Sequence, residues 1–149
     1  MPATPNEIVT LWSATNIAAT SRKAADYDNT DGAGGVLIND AAYVTLTVTY
    51  DAATTITANS AIASLYVLPE VDGTYPTGGD GTVGINTDPQ DEMIVGSFVA
   101  RNPSASGSET MALPVRRLPP KGSRFVVRNN STETLSNTSL KAQMVRLRP

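Results

Sequence analysis

The chain of 149 residues contains no cysteine and no histidine. The first absence removes disulfides, thiolate nucleophiles and cysteine-ligated zinc. The second removes Ser-His-Asp and Cys-His catalysis, the commonest metal ligand and the usual switch near neutral pH. Aromatic residues are 5% of the chain, sparse for a protein that stacks sugars or bases. Charged residues are 17%, against about 25% in a typical soluble domain. No apolar run approaches 18 residues, so no membrane-spanning helix is expected. Residues 1–7 have neither a basic nor an apolar stretch and are not expected to be a secretory signal. With Pro2 and Pro5 they read instead as an extended arm that orders on a neighbour. The length suits one domain, 1–149, that buries roughly 70% of its unfolded surface without staples.

What charge there is lies unevenly. Residues 1–100 carry two bases, Arg22 and Lys23, against twelve acids. Residues 101–149 carry nine bases against two acids, Glu109 and Glu133. One reading is two solvated faces of a single domain. The sharper one is a basic surface turned to an acidic partner or to a neighbouring copy of the chain. With a formal net charge of −3, nucleic acid is not the expected partner.

Strand patterns dominate. Val44, Leu46, Val48 and Tyr50 alternate with Thr45, Thr47 and Thr49, the period of a half-buried strand. Residues 62–68 are apolar at nearly every position, as in a central strand covered on both sides. Residues 93–99 and 124–129 are similar. Shorter candidates are 8–13, 36–38 and 110–115, the last placed at an edge by Pro114. Leu140, Ala142 and Met144 alternate, and then Val145 and Leu147 take the opposite parity, which suggests a bulge. Residues 18–26 read ambiguously and could form a short helix. Asp31-Gly32, Gly34-Gly35, Asp72-Gly73, Gly78-Gly79, Asp80-Gly81 and Asn129-Asn130 supply turns. The expected fold is all-β, an antiparallel sandwich or barrel of about eight strands and no substantial helix; strands of five to eight residues fit a two-sheet sandwich better than a closed barrel. Val44, Leu46, Val48, Leu65, Val67, Phe98, Phe125 and Val127 are its expected core.

The chemical motifs are weak. A calcium loop beginning at Asp26 would have Asp31 where an EF-hand needs glycine, and Leu37 where it needs glutamate. The acids between Asp72 and Glu92 are a second possible cation cluster. Lys121-Gly122-Ser123 is not a P-loop. The Asn-X-Ser/Thr sequons at Asn129, Asn130 and Asn137 read as polar turns. No catalytic, cofactor-binding or metal-ligating residue is assigned, and no cofactor, small-molecule substrate or membrane is expected.

One ordered set of segments goes further. Leu65-Tyr66-Val67-Leu68-Pro69-Glu70-Val71-Asp72-Gly73-Thr74-Tyr75-Pro76 runs a strand into an Asp-Gly turn with a tyrosine just after it. Val95-Gly96-Ser97-Phe98, Leu118-Pro119-Pro120-Lys121 and Phe125-Val126-Val127-Arg128-Asn129-Asn130-Ser131 follow. Over about residues 60–131 this order resembles the head decoration (cement) proteins of tailed bacteriophages, which implies a jelly-roll-like form of the sandwich. The resemblance implies a non-enzymatic virion protein on the outer capsid surface, assembled in the host cytoplasm. Its implied partners are the major capsid protein and itself, as a homotrimer bridging capsomers. A tail or baseplate adaptor and a carbohydrate-binding sandwich remain the alternatives.

Three residues are candidates for the interaction surface. Trp12 has two readings, a core residue of the first strand or an anchor on a neighbouring chain. Arg116 and Arg117, between Pro114 and Pro119-Pro120, read as exposed turn charges or as contacts to an acidic neighbour.

Overall fold

A computed structural model describes residues 8–29, 41–76, 89, 91–119 and 121–145. The expected strand at 36–38, Leu147 and the arm 1–7 lie outside these residues. Eight strands follow in order: β1 (Ile8–Ile17), β2 (Arg22–Asn29), β3 (Ala41–Thr49), β4 (Ala61–Pro69), β5 (Ile94–Val99), β6 (Ser108–Val115), β7 (Lys121–Asn129) and β8 (Leu135–Val145). A single 3-10 turn, Asp91–Met93, precedes β5. The strands form two antiparallel sheets, ordered β1-β8-β3-β6 and β2-β7-β4-β5. This order is the double Greek key of an eight-stranded jelly roll.

Alternation becomes packing as the sequence suggests. Val44, Leu46 and Val48 of β3 and Phe125 and Val127 of β7 are fully buried between the sheets. Leu65 and Phe98 join them from β4 and β5, and Val67 is nearly as buried. Thr45, Thr47 and Thr49 take the outer face. Strand β4 is covered on both sides. Tyr66 and Leu68 form a second, outer cluster with Ala24 and Val126, and Tyr75 and Met93 of the β4–β5 connection pack over it. That second cover is why residues 62–68 are apolar at almost every position.

One local expectation is corrected. Residues 22–26, read as ambiguous and possibly helical, belong to strand β2. Each residue of β2 pairs with β7, including Asp26 with Arg124. The bulge expected around Val145 and Leu147 involves a residue outside the described ones; within them, β8 shifts register against β3 between Ser139 and Ser136. Strand β8 keeps its register with β3 from Leu140 to Val145. Strand β1 slips against β8 between Thr10 and Trp12, between Trp12 and Thr15, and again before Ile17. Ala14 takes a positive φ of 50° inside this bulged run. Bulges twist a strand and interrupt its free edge, and β1 is an edge strand.

The two ends of the sandwich differ. At one end the connections are 18–21, 50–60, 100–107 and 130–134. Three side chains hold them. Glu109 accepts from Tyr50 Oη at 2.8 Å and from the amides of Arg101 and Asn102 at 2.6 and 3.0 Å. Glu133 accepts from the hydroxyls of Thr54 and Thr55 at 3.0 and 2.8 Å, and from the Thr55 amide. Asn129, fully buried, donates through Nδ2 to the carbonyls of Ile17, Ala18 and Glu133, and its Oδ1 accepts from Ser131. At the other end lie the starts of β1 and β3, the end of β8, residues 70–76 after β4 and residues 116–119 after β6.

Partial burial works against ionisation of Glu109 and Glu133. The hydrogen bonds they accept outweigh it and hold both carboxyls below their ordinary value of 4.5. A carboxylate held low stabilises the fold above its ordinary value and ceases to do so as the pH falls through the lowered one. Thermal melts should therefore show stability falling below about pH 4.5. A chain carrying Glu109→Gln and Glu133→Gln should fall less steeply, and each change should cost about 1 kcal/mol at neutral pH. Asn129→Ala leaves several buried polar groups without partners. It should cost about 2–3 kcal/mol in urea titrations.

Candidate interaction surface

Trp12 is a core residue. Its ring is 7% exposed, and Nε1 donates to the buried Thr138 hydroxyl at 3.1 Å. Thr138 Oγ1 in turn donates to the Thr15 carbonyl at 2.5 Å, tying the bulged β1 to β8. The bulge is what turns the indole inward. Lys23 of β2 lies over the same ring, with Nζ 5.2 Å from its centroid. Burial against that edge pushes the Lys23 ammonium below its ordinary range. Of the two readings of Trp12, the structure carries the core one, so its indole is no free anchor for a neighbouring chain.

Arg116 and Arg117 are both exposed, between the end of β6 and the buried Leu118. Among the described residues neither makes an ion pair. Arg116 stands on the rim of an open groove of about 430 Å³. Its apolar walls come from Ala41 and Tyr43 at the start of β3, Pro114 and Val115 at the end of β6, and Val145 at the end of β8. Tyr43 is 55% exposed. Cross-strand pairing sets Ile8, Gln143, Tyr43 and Pro114 in one row across the outer face of the first sheet. The next row is Thr10, Lys141, Thr45 and Ala112. Neither row contains an acid, and Lys141 is the one charge in the two.

Sequence reasoning singled out Arg116 and Arg117 but not the groove beside them. It is assembled from three strand ends far apart in the chain, and Tyr43 at the start of a strong strand pattern reads as ordinary alternation.

The two acidic segments are described in part. Asp26, first residue of the calcium-like run, accepts from Arg124 Nε at 2.5 Å. The Arg124 guanidinium also lies 4.1 Å from the centre of the Tyr75 ring. Burial and the Asp26 charge push the Tyr75 phenol up, with Arg124 opposing. Asp31, Asp80 and Asp88 lie outside the described residues. Among the described residues, no three Asp, Glu, His or Cys side chains gather where they could hold a metal ion.

The charge asymmetry of the sequence is interleaved in space. In each sheet a late strand lies between two early ones: β8 between β1 and β3, β7 between β2 and β4. The Arg124–Asp26 pair is one result.

Reversing Arg116 and Arg117 together to Glu should shift unfolding free energy by no more than about 0.5 kcal/mol, since both are exposed and unpaired. Trp12→Ala should cost about 3–5 kcal/mol, as the loss of a buried indole does. Denaturant titration of the two variants checks the division between surface and core.

No protein-family model matches the chain, and no curated protein does. Among solved structures, the crystal structure of the Yersinia pseudotuberculosis-derived mitogen aligns with a TM-score of 0.42 and 19% identity, over 98% of this chain and 91% of that one. A likeness this distant carries no argument about what the chain does.

Proposed function

We propose that the chain is a non-enzymatic bacteriophage virion protein that decorates the outer surface of the head, as a homotrimer bridging neighbouring capsomers. The observation that carries this reading is the contrast between the two ends of the sandwich. At one end Glu109, Glu133 and Asn129 are committed to holding the chain's own loops. At the other, exposed Tyr43, the open groove and Arg116 and Arg117, which pair with no acid among the described residues, lie beside the 70–76 turn and the starts of β1 and β3. Binding surfaces commonly sit on loops positioned by a rigid scaffold, and this fold supplies that division. The jelly roll supports the reading by analogy, since viral capsid domains are among its uses.

The mechanism is avidity rather than chemistry. A protomer that touches two capsomers makes its second contact within an existing complex, at a high effective concentration. Individually weak contacts then add into firm attachment, and the joined capsomers resist separation. The exposed Arg117 beside the groove favours an acidic capsid surface and makes attachment weaken as salt rises.

A second reading has one observation in its favour. Lectin domains also use the jelly roll, and Tyr43 beside a groove is a platform on which a sugar could stack. The test is to incubate the purified protein with undecorated heads and, separately, with isolated tails, then sediment each. Decoration predicts recovery with heads at a fixed number of copies per particle. Recovery with tails alone would replace it with the adaptor reading. Glycan binding lost in Tyr43→Ala, with no recovery on either particle, would replace it with the carbohydrate one.

A further inference from the structure

The β4–β5 connection carries a feature that the decoration reading does not use. Immediately after β4, Val71 and Thr74 form a bridge: the Val71 amide donates to the Thr74 carbonyl at 2.7 Å and the Thr74 amide to the Val71 carbonyl at 3.0 Å. Between them Asp72 and Gly73 both have positive φ, 52° and 76°. That is the geometry of a type I′ turn, for which Asp-Gly is a favoured pair. The Thr74 hydroxyl adds a further bond to the Val71 carbonyl at 2.8 Å. The result is a small, fixed knob. At its base Val71 is 61% exposed, with the exposed Glu70 and Asp72 on either side. Among the described residues neither carboxylate is in an ion pair.

An exposed valine between two free carboxylates is the complement of the groove on the other sheet. Among the described residues that groove has apolar walls and no acid in its lining, and Arg116 at its rim is in no ion pair. Within one protomer the two do not meet. The knob follows β4, and Tyr75, next in sequence, packs on the outer cluster of the β2-β7-β4-β5 sheet. The groove belongs to the β1-β8-β3-β6 sheet, and no residue of the knob lines it. Both stand at the same end of the sandwich.

We infer that the knob of one protomer docks in the groove of the next: Val71 enters between Tyr43, Pro114 and Val145, and Glu70 or Asp72 pairs with Arg116. The occupant is a second copy of this chain, because each patch supplies the apolar and ionic complement that the other lacks. Two different patches joined in this way make a heterologous contact, which generates a ring when its rotation closes. The inference rests on the reading of the chain as a self-assembling decoration protein and names the surfaces by which it self-assembles. Turn formation by Asp72-Gly73 thereby acquires a role beyond reversing the chain, since it pre-orders the knob and lowers the entropy lost on docking.

The test measures association of the free protein, without capsids, by sedimentation equilibrium at low and high salt. Three variants are compared with the parent: Arg116→Glu; Glu70→Lys with Asp72→Asn, asparagine being chosen because it tolerates a positive φ; and a chain carrying all three changes, in which the signs are exchanged. The parent should associate, less strongly at high salt. Each of the first two variants should raise the dissociation constant at least about tenfold. The exchanged chain should recover most of the loss. Circular dichroism of each variant confirms the fold. A parent that stays monomeric at concentrations well above micromolar overturns the inference, as does association equally strong in all four chains. Recovery of the same chains on undecorated heads separates the two ideas. If a monomeric parent still decorates heads, the contact is wrong and decoration stands. If the parent associates through this contact yet binds no head, the contact stands and decoration fails.

Discussion

Both sheets are closed by strands from the end of the chain. Strand β8 inserts between β1 and β3, and β7 between β2 and β4. The rest of the architecture depends on this insertion. Until β7 and β8 are in place, β1 and β2 have no partner in their sheets, and neither sheet can present a continuous inner face. The core follows from it: Phe125 and Val127 of β7 and Leu140, Ala142 and Met144 of β8 are the late-arriving half of the interior. So does the charge pattern. A sequence with its acids early and its bases late becomes a molecule in which Arg124 lies against Asp26.

The strong strands were legible because period-two alternation needs only local sequence, as in Val44, Leu46 and Val48. The two-sided character of β4 was legible from its unbroken apolar run. Strand β2 was not, since Arg22-Lys23-Ala24-Ala25-Asp26 owes its conformation to β7 rather than to its own propensity. The bulges of β1 had no visible signal either, because nothing in Ile8-Val9-Thr10-Leu11-Trp12 marks where the register slips. Glu109 and Glu133 left a trace that could have been followed. They are the two acids in a basic region, and an isolated carboxylate near Ser, Thr and Asn turns often accepts backbone and hydroxyl hydrogen bonds. At the interaction surface, Arg116 and Arg117 could be named from sequence, while Tyr43, Val145 and the groove between them required the fold.

The contrast between the two ends of the sandwich explains how a protein short of reactive side chains can still have a specific task. The stapled end makes the scaffold rigid. The opposite end presents apolar and charged groups that the fold itself leaves unmatched: Val71 between two carboxylates, and a groove edged by Arg116. Unmatched groups of opposite character on one small molecule favour assembly, and assembly multiplies contacts of modest individual strength.

The most direct test of this account is amide hydrogen exchange on the free protein, diluted until it is monomeric, and then on the protein bound to undecorated heads. Exchange reports which backbone segments become protected on assembly, without mutation. The account predicts new protection at residues 41–45, 70–76 and 112–117, and none at 50–60, 100–107 and 130–134. New protection confined to the second set, with the first unchanged, would contradict it and move the binding surface to the stapled end.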